Sequence, residues 1–144
     1  MVVVGIGNST IPTSGVSSIG PYAFSQLTSL SSITIPSNIT TIGLRAFQGC
    51  TNLASITLSE NLTSIGERAF YNDSALTSIT IPASVNSIGV NAFQNAGLTT
   101  ATFEDPVGWK VGDVAIYPSD ASQNATYLKS TYAASAWAKG STAI

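Results

Sequence analysis

The sequence predicts an α/β solenoid: short coils stacked in file, with parallel strands on one face and helical turns on the other. Two observations predict it. Gly20, Gly43, Gly66 and Gly89 recur every 23 residues, and Phe24, Phe47, Phe70 and Phe93 keep the same interval. Three blocks also carry apolar residues in the same places: LSSITIPSNITTIGLRAF from Leu30, LASITLSENLTSIGERAF from Leu53 and LTSITIPASVNSIGVNAF from Leu76. Self-similarity at such a period marks units that cannot bury their apolar faces alone and do so by stacking.

Residues 1–10 read as the start of the array, with Val2 to Val4 as a strand of an earlier coil. No polar capping unit is visible there, so the N-terminus reads either as a cut end or as a contact surface for self-association through the uncapped first coil. Ile11 to Leu30 is the first recognisable repeat. Ile11-Pro12 corresponds to Ile35-Pro36, with one extra residue near Gly15. The repeats from Leu30 and Leu53 are regular. After Phe93 one residue is missing, so Leu98 takes the place of Leu76, Ala101 that of Ile79 and Phe103 that of Ile81.

Within a coil, the segment Ser32-Ile33-Thr34-Ile35 reads as a strand, as do Ser55-Ile56-Thr57-Leu58 and Ser78-Ile79-Thr80-Ile81. Side chains alternate across a strand, so Ile33 and Ile35 point inward while Ser32, Thr34 and Pro36 point out. Ile39, Ile42, Ala46 and Phe47 then follow at spacings of one face of a helical turn. Gly43 and its equivalents fit a backbone position that is crowded or has positive φ. The small Ala46 set lets neighbouring coils approach.

The period stops at Glu104. We divide the chain into a solenoid over 1–103, of about four 23-residue repeats, and a capping segment over 104–144 in the same domain. A loop punctuated by Pro106, Gly108, Gly112 and Pro118 carries Trp109, Val111, Val114, Ile116 and Tyr117. Ser119-Asp120 suits a helix N-cap. A helix is expected from about Ser122 to Ala138, with Gly140 as its stop. Its aromatics either cover the open core of the last coil or form a ligand pocket around Trp109 and Trp137.

Composition excludes several classes. Hydrophobic residues make up 44% of the chain, enough for a core, while only 8% are charged, against roughly a quarter in ordinary soluble domains. Ser, Thr and Asn take their place, as is common on surfaces outside cells. Net charge is −2, and the five basic residues Arg45, Arg68, Lys110, Lys129 and Lys139 are scattered, so nucleic acid is not an expected partner. No apolar run is long enough for membrane insertion. Met1 to Val4 lacks the form of a signal peptide. Export without such a signal, or a place within a longer protein, is therefore expected.

There is no histidine, so histidine-dependent nucleophile arrangements are absent. The acidic residues are few, and Glu104-Asp105 reads as the polar edge after Phe103 rather than an acid–base pair. Cys50 is the one cysteine and falls where Leu27 and Ala96 sit in other repeats, so it reads as a small buried hydrophobe. Asp73 at the same place points to partial burial. No enzyme activity, cofactor or metal is expected.

The repeat L-x-x-I-x-I-P-x-x-[ILV]-x-x-I-G-x-x-A-F resembles the BspA-type leucine-rich repeats of bacterial surface proteins. Leu30, Ile33, Ile35, Pro36, Ile39, Ile42, Gly43, Ala46 and Phe47 carry the match, with their counterparts one period on. The resemblance implies a leucine-rich-repeat solenoid, a right-handed β-α superhelix with a parallel sheet on its concave side. It also implies attachment to host proteins or other cells, at an extracellular or cell-surface location. Asn38 and Asn61 occupy the position where leucine-rich repeats bond an asparagine side chain to backbone between coils, and Ser84 breaks that ladder.

The outward strand face is the candidate site. The fold stacks Ser32, Ser55 and Ser78 in one row and Thr34, Thr57 and Thr80 beside it, with Thr10 and Thr102 extending the second row. The expected function is a non-enzymatic interaction or adhesion module that binds a protein or carbohydrate ligand through these hydroxyls. The rival expectation is a structural spacer or assembly unit of a longer surface protein or fibre.

Overall fold

A computed structural model describes residues 2–3 and 11–140. In chain order the strands are β1 (Val2–Val3), β2 (Ser18–Ile19), β3 (Ser32–Thr34), β4 (Thr41–Ile42), β5 (Ser55–Thr57) and β6 (Ser64–Ile65). They continue with β7 (Ser78–Ile81), β8 (Ser87–Ile88), β9 (Thr100–Phe103), β10 (Trp109–Val111), β11 (Val114–Ala115) and β12 (Trp137–Lys139). One short helix, α1 (Ala121–Thr126), lies between β11 and β12. The expected extension of the threonine row by Thr10, and the question of a cap over residues 4–10, lie outside the described residues.

The chain forms a β-solenoid of about four turns, in which each regular coil contributes two strands. The helical turn expected around Ile39 and Ile42 is replaced by a tight turn and a second strand. Ile39 donates its N–H to the Pro36 carbonyl, 3.0 Å away, and Thr40 then donates to Ser17 of the preceding coil at 2.8 Å. The backbone bonds thus run between coils rather than four residues back along a helix. The spacing of Ile39 and Ile42 suits either geometry. The Thr-Thr-Ile and Thr-Ser-Ile runs of these strands favour extended backbone.

These second strands build the main sheet, in the order β1-β2-β4-β6-β8-β12-β10-β11. Pairing is parallel from β1 to β8, with Ile19, Ile42, Ile65 and Ile88 in one register. The stretch after each glycine also ties coil to coil. Arg45, Phe47 and Gly49 donate N–H groups to Glu67, Ala69 and Tyr71 of the next coil at 2.8–2.9 Å. Arg45 and Arg68 hold φ near +53° and +54° to make that turn, so the left-handed position falls two residues after the repeated glycine. The glycine itself serves crowding: a Cβ on Gly66 would lie 2.6 Å from the Gly43 carbonyl carbon.

The core runs along the stack. Phe24, Phe47, Phe70 and Phe93 form a column with ring centroids 5.0, 5.4 and 5.1 Å apart and nearly parallel planes. Ile33, Ile56 and Ile79 are buried on the strand side, and Ala46, Ala69 and Ala92 on the turn side. The slipped register after Phe93 is as the sequence implied, for Ile79 pairs with Ala101 and Ile81 with Phe103.

The segment after Glu104 departs from the helix expected over Ser122 to Ala138. Trp109–Val111 and Val114–Ala115 form an antiparallel hairpin instead of a loop. The helix starts where expected, with Asp120 accepting the Gln123 N–H at 3.0 Å. It ends at Thr126 in a wider helical turn over Tyr127–Thr131. The chain then extends, and Trp137–Lys139 pairs antiparallel with both β8 and β10. The open edge of β8 offered unpaired backbone groups, and a strand satisfies them where a helix cannot. Gly140 therefore follows a strand rather than stopping a helix. Trp137 stacks on Phe103 at 5.6 Å, and Trp109 meets Phe103 edge-on at 5.4 Å. Both tryptophans are buried, and their rings cover the last coil.

Candidate functional site

The first strands of the coils present the hydroxyl face. Ser32, Thr34, Ser55, Thr57, Ser78 and Thr80 are all exposed, while the isoleucines between them are buried. β3 pairs in parallel with β5, placing Ser32 beside Ser55 and Thr34 beside Thr57. β7 pairs with β9, placing Ser78 beside Thr100 and Thr80 beside Thr102. Thr102 extends the threonine row as the sequence implied. The predicted rows are not continuous, however. No ladder joins β5 to β7 among the described residues, and the face consists of two two-stranded sheets.

Two hollows open on this face. One, of about 530 Å³, lies over β3 and β5 and is lined by Thr13, Ser32, Thr34, Pro36, Ser55 and Thr57. The other, of about 290 Å³, sits at the split, with Thr57 and Thr80 on its walls and Glu60 and Glu104 at its rim. Its apolar floor is the least covered part of the sheet interior. Ile56 and Leu58 are 9% and 7% exposed, against 4% and 1% for Ile79 and Ile81.

Charge is sparse here: Glu60 and Glu104 line the second hollow, and the Lys139 ammonium reaches the Ala83 carbonyl beside Glu104 at 3.5 Å. Glu104 accepts the Ala83 N–H at 3.1 Å, and neither it nor Glu60 forms an ion pair among the described residues. The neighbouring Asp105 differs: the Lys139 ammonium bonds its carboxylate and holds it below the usual carboxylate range. The reading of Glu104-Asp105 as a polar edge stands, but Glu60 and the second hollow escaped it. The signal was present in the repeat. Glu60 follows β5 by three residues and Glu104 directly follows β9, so both sit where strands leave the face.

Other candidates resolve as structure. Asn38 donates to the Val16 carbonyl at 2.7 Å and Asn61 to that of Ser37 at 2.8 Å. Ser84 does not break this ladder, since its shorter hydroxyl reaches the Leu62 carbonyl at 2.6 Å. Cys50 is fully buried, and burial pushes its thiol up to about 12, with the Asp73 charge adding to the effect. Asp73 is also fully buried, contrary to the partial burial its side chain suggested, because it accepts the Cys50 N–H from the coil below. Among the described residues no group of three or more acidic, cysteine or histidine side chains could hold a metal. No helix among them is long and apolar enough to cross a membrane.

Stacked parallel coils, a buried phenylalanine column and an open polar sheet face define a repeat-solenoid protein. The chain belongs to the BspA-type leucine-rich repeat family, whose model matches six copies over residues 4–117. It is similar to a leucine-rich repeat protein from Bacteroides capillosus, at 37% identity and a TM-score of 0.62, over 70% of this chain and 79% of that one. It is similar to a leucine-rich cell surface protein from Faecalibacterium prausnitzii, at 30% identity and a TM-score of 0.56, over 72% of this chain and 33% of that one. It also resembles the pneumococcal vaccine antigen PcpA, at 32% identity and a TM-score of 0.58, over 62% of this chain. The match spans only 22% of PcpA. No curated protein matches the chain.

Proposed function

We propose that this chain is a non-enzymatic interaction module of a bacterial surface protein, binding a protein or glycan through its hydroxyl face. The observation that carries the reading is the alternation of exposed Ser and Thr with buried isoleucine on β3, β5 and β7, over two hollows. Ligand hydroxyl and amide groups can bond such a face without removing a fixed charge from water, which keeps the desolvation cost low. An extracellular location agrees with the low charge and with the cell-surface description of the Faecalibacterium relative.

The test is a screen of the purified chain against extracellular-matrix proteins and a glycan array. Thr34→Lys and Thr57→Lys variants are compared with the parent. Binding by the parent and loss by both variants supports the face as the site. Equal binding by parent and variants overturns it.

A spacer role has one observation in its favour. The main sheet ends at β11, where Val114 and nearby Tyr117 are exposed. An edge strand of this kind can accept another strand. Light scattering tests it: a strict monomer at all concentrations removes assembly through that edge.

A further inference from the structure

We propose that the hollow between β5 and β7 seats a lysine or arginine side chain from an extended segment of a protein partner. The inference deepens the reading of the hydroxyl face as the binding surface and rests on it. It also chooses protein over neutral glycan as the occupant of this one hollow.

Three features fit a long basic side chain and fit little else as well. The first is the split in the sheet. Ala54 donates to Ser31 and Thr99 to Thr77, but no such bond joins the β5 and β7 strands among the described residues. The ladder lapses there, and a cleft of about 290 Å³ opens over the two neighbouring strands. The second is the apolar floor of Ile56, Leu58 and Pro82. A lysine or arginine stem covers such surface while its head stays at the rim. The third is charge complementarity. Glu60 and Glu104 line the hollow and form no ion pair among the described residues, whereas the Lys139 ammonium, which also reaches the Ala83 carbonyl beside Glu104, pairs with Asp105. Thr57 and Thr80 add hydroxyl acceptors on the walls. An acidic ligand meets repulsion at this rim, and an uncharged sugar leaves both carboxylates without a counter-charge.

The test is a chemical-shift titration of the isotope-labelled chain with a short extended peptide, acetyl-Thr-Val-Lys-Val-Thr-amide. A matched peptide carrying an acetylated lysine is the control. The lysine peptide is expected to move the amides of Ile56, Thr57 and Thr80. Acetylation, or the paired substitution Glu60→Gln with Glu104→Gln, should weaken that binding about five- to ten-fold. About 1 M salt should weaken it similarly, because screening then acts within about 3 Å. Both glutamates are solvent-facing, so the variant's unperturbed spectrum serves as the folding control. No shifts at the split, or equal binding of the acetylated peptide, overturns the proposal. So does self-association of the parent that the paired variant abolishes, since a second copy then occupies the cleft. If a matrix protein or glycan binds the face and the Thr34→Lys variant loses it while the glutamine pair does not, this inference fails and the hydroxyl-face reading survives.

Discussion

Asp73 accepts the backbone N–H of Cys50 at 2.9 Å, one full coil away, with both residues sealed in the interior of the stack. The bond ties two coils together, and it also places an ionisable group where water does not reach. Burial pushes the Asp73 carboxyl from 3.8 up to about 8, although the N–H groups of Cys50 and Gly49 pull it the other way. The folded chain therefore holds a proton that the unfolded chain releases between about pH 4 and pH 8. Stability contributed by this group is fully present below pH 4 and is lost as pH rises toward 8. The slope is at most about 1.4 kcal/mol per pH unit. Asp73→Asn keeps an acceptor for Cys50 and removes the titration. Urea unfolding at several pH values should show the parent weakening toward pH 8 and the variant flat across that range.

Gly89 sits against the coil below it, and a Cβ there would lie 2.4 Å from the Glu67 amide nitrogen. Backbone cannot yield as a side chain can. Gly89→Ala should cost about 1–3 kcal/mol, the range of overpacked cores. Gly15→Ala is not a fair control, because its φ of +83° adds strain of another kind. Thermal unfolding of Gly89→Ala beside Gly140→Ala, where the nearest atom is 3.8 Å away, isolates the crowding.

Phe70 stacks between Phe47 and Phe93, and no solvent reaches its ring. Phe70→Ala removes two ring contacts and opens a void in the middle of the array, at a cost of about 3–5 kcal/mol. Coils share stability with their neighbours, so loss of a central contact should also broaden the transition. Coincidence of near- and far-ultraviolet circular dichroism melts checks this.

Trp137 closes the last coil by pairing with Ile88 and stacking on Phe103. Trp137→Ala should cost about 3–5 kcal/mol and expose the Phe103 end of the core. Increased binding of an apolar dye before the main transition is the expected signature. An unchanged melt means that the terminal strand contributes little to closing the stack.

How far the sequence carried each element depended on whether its cause was local. The repeat, the inward isoleucines, the phenylalanine column and the slip at Leu98 are all written in spacing, because each residue meets its own counterpart one coil away. The hydroxyl residues of the candidate face were legible for the same reason. Ile42 was not, since apolar spacings of three and four suit a helical turn as well as a turn followed by a strand. The spacing of Ala125, Leu128, Tyr132 and Ala136 along one helical face predicts a helix that takes in Trp137. The unpaired edge of β8, which decides its conformation, comes from a residue 49 positions earlier, Ile88.

The sequence by itself determined that this chain stacks in coils, which residues fill the core and which face carries serine and threonine, because a periodic chain repeats its own contacts. Only the tertiary structure decided that each coil turns through a second strand, that the tail closes the sheet antiparallel, and that the hydroxyl face splits between β5 and β7. Those outcomes depend on where backbone donors and acceptors find partners across coils, and local side-chain order does not by itself specify those partners.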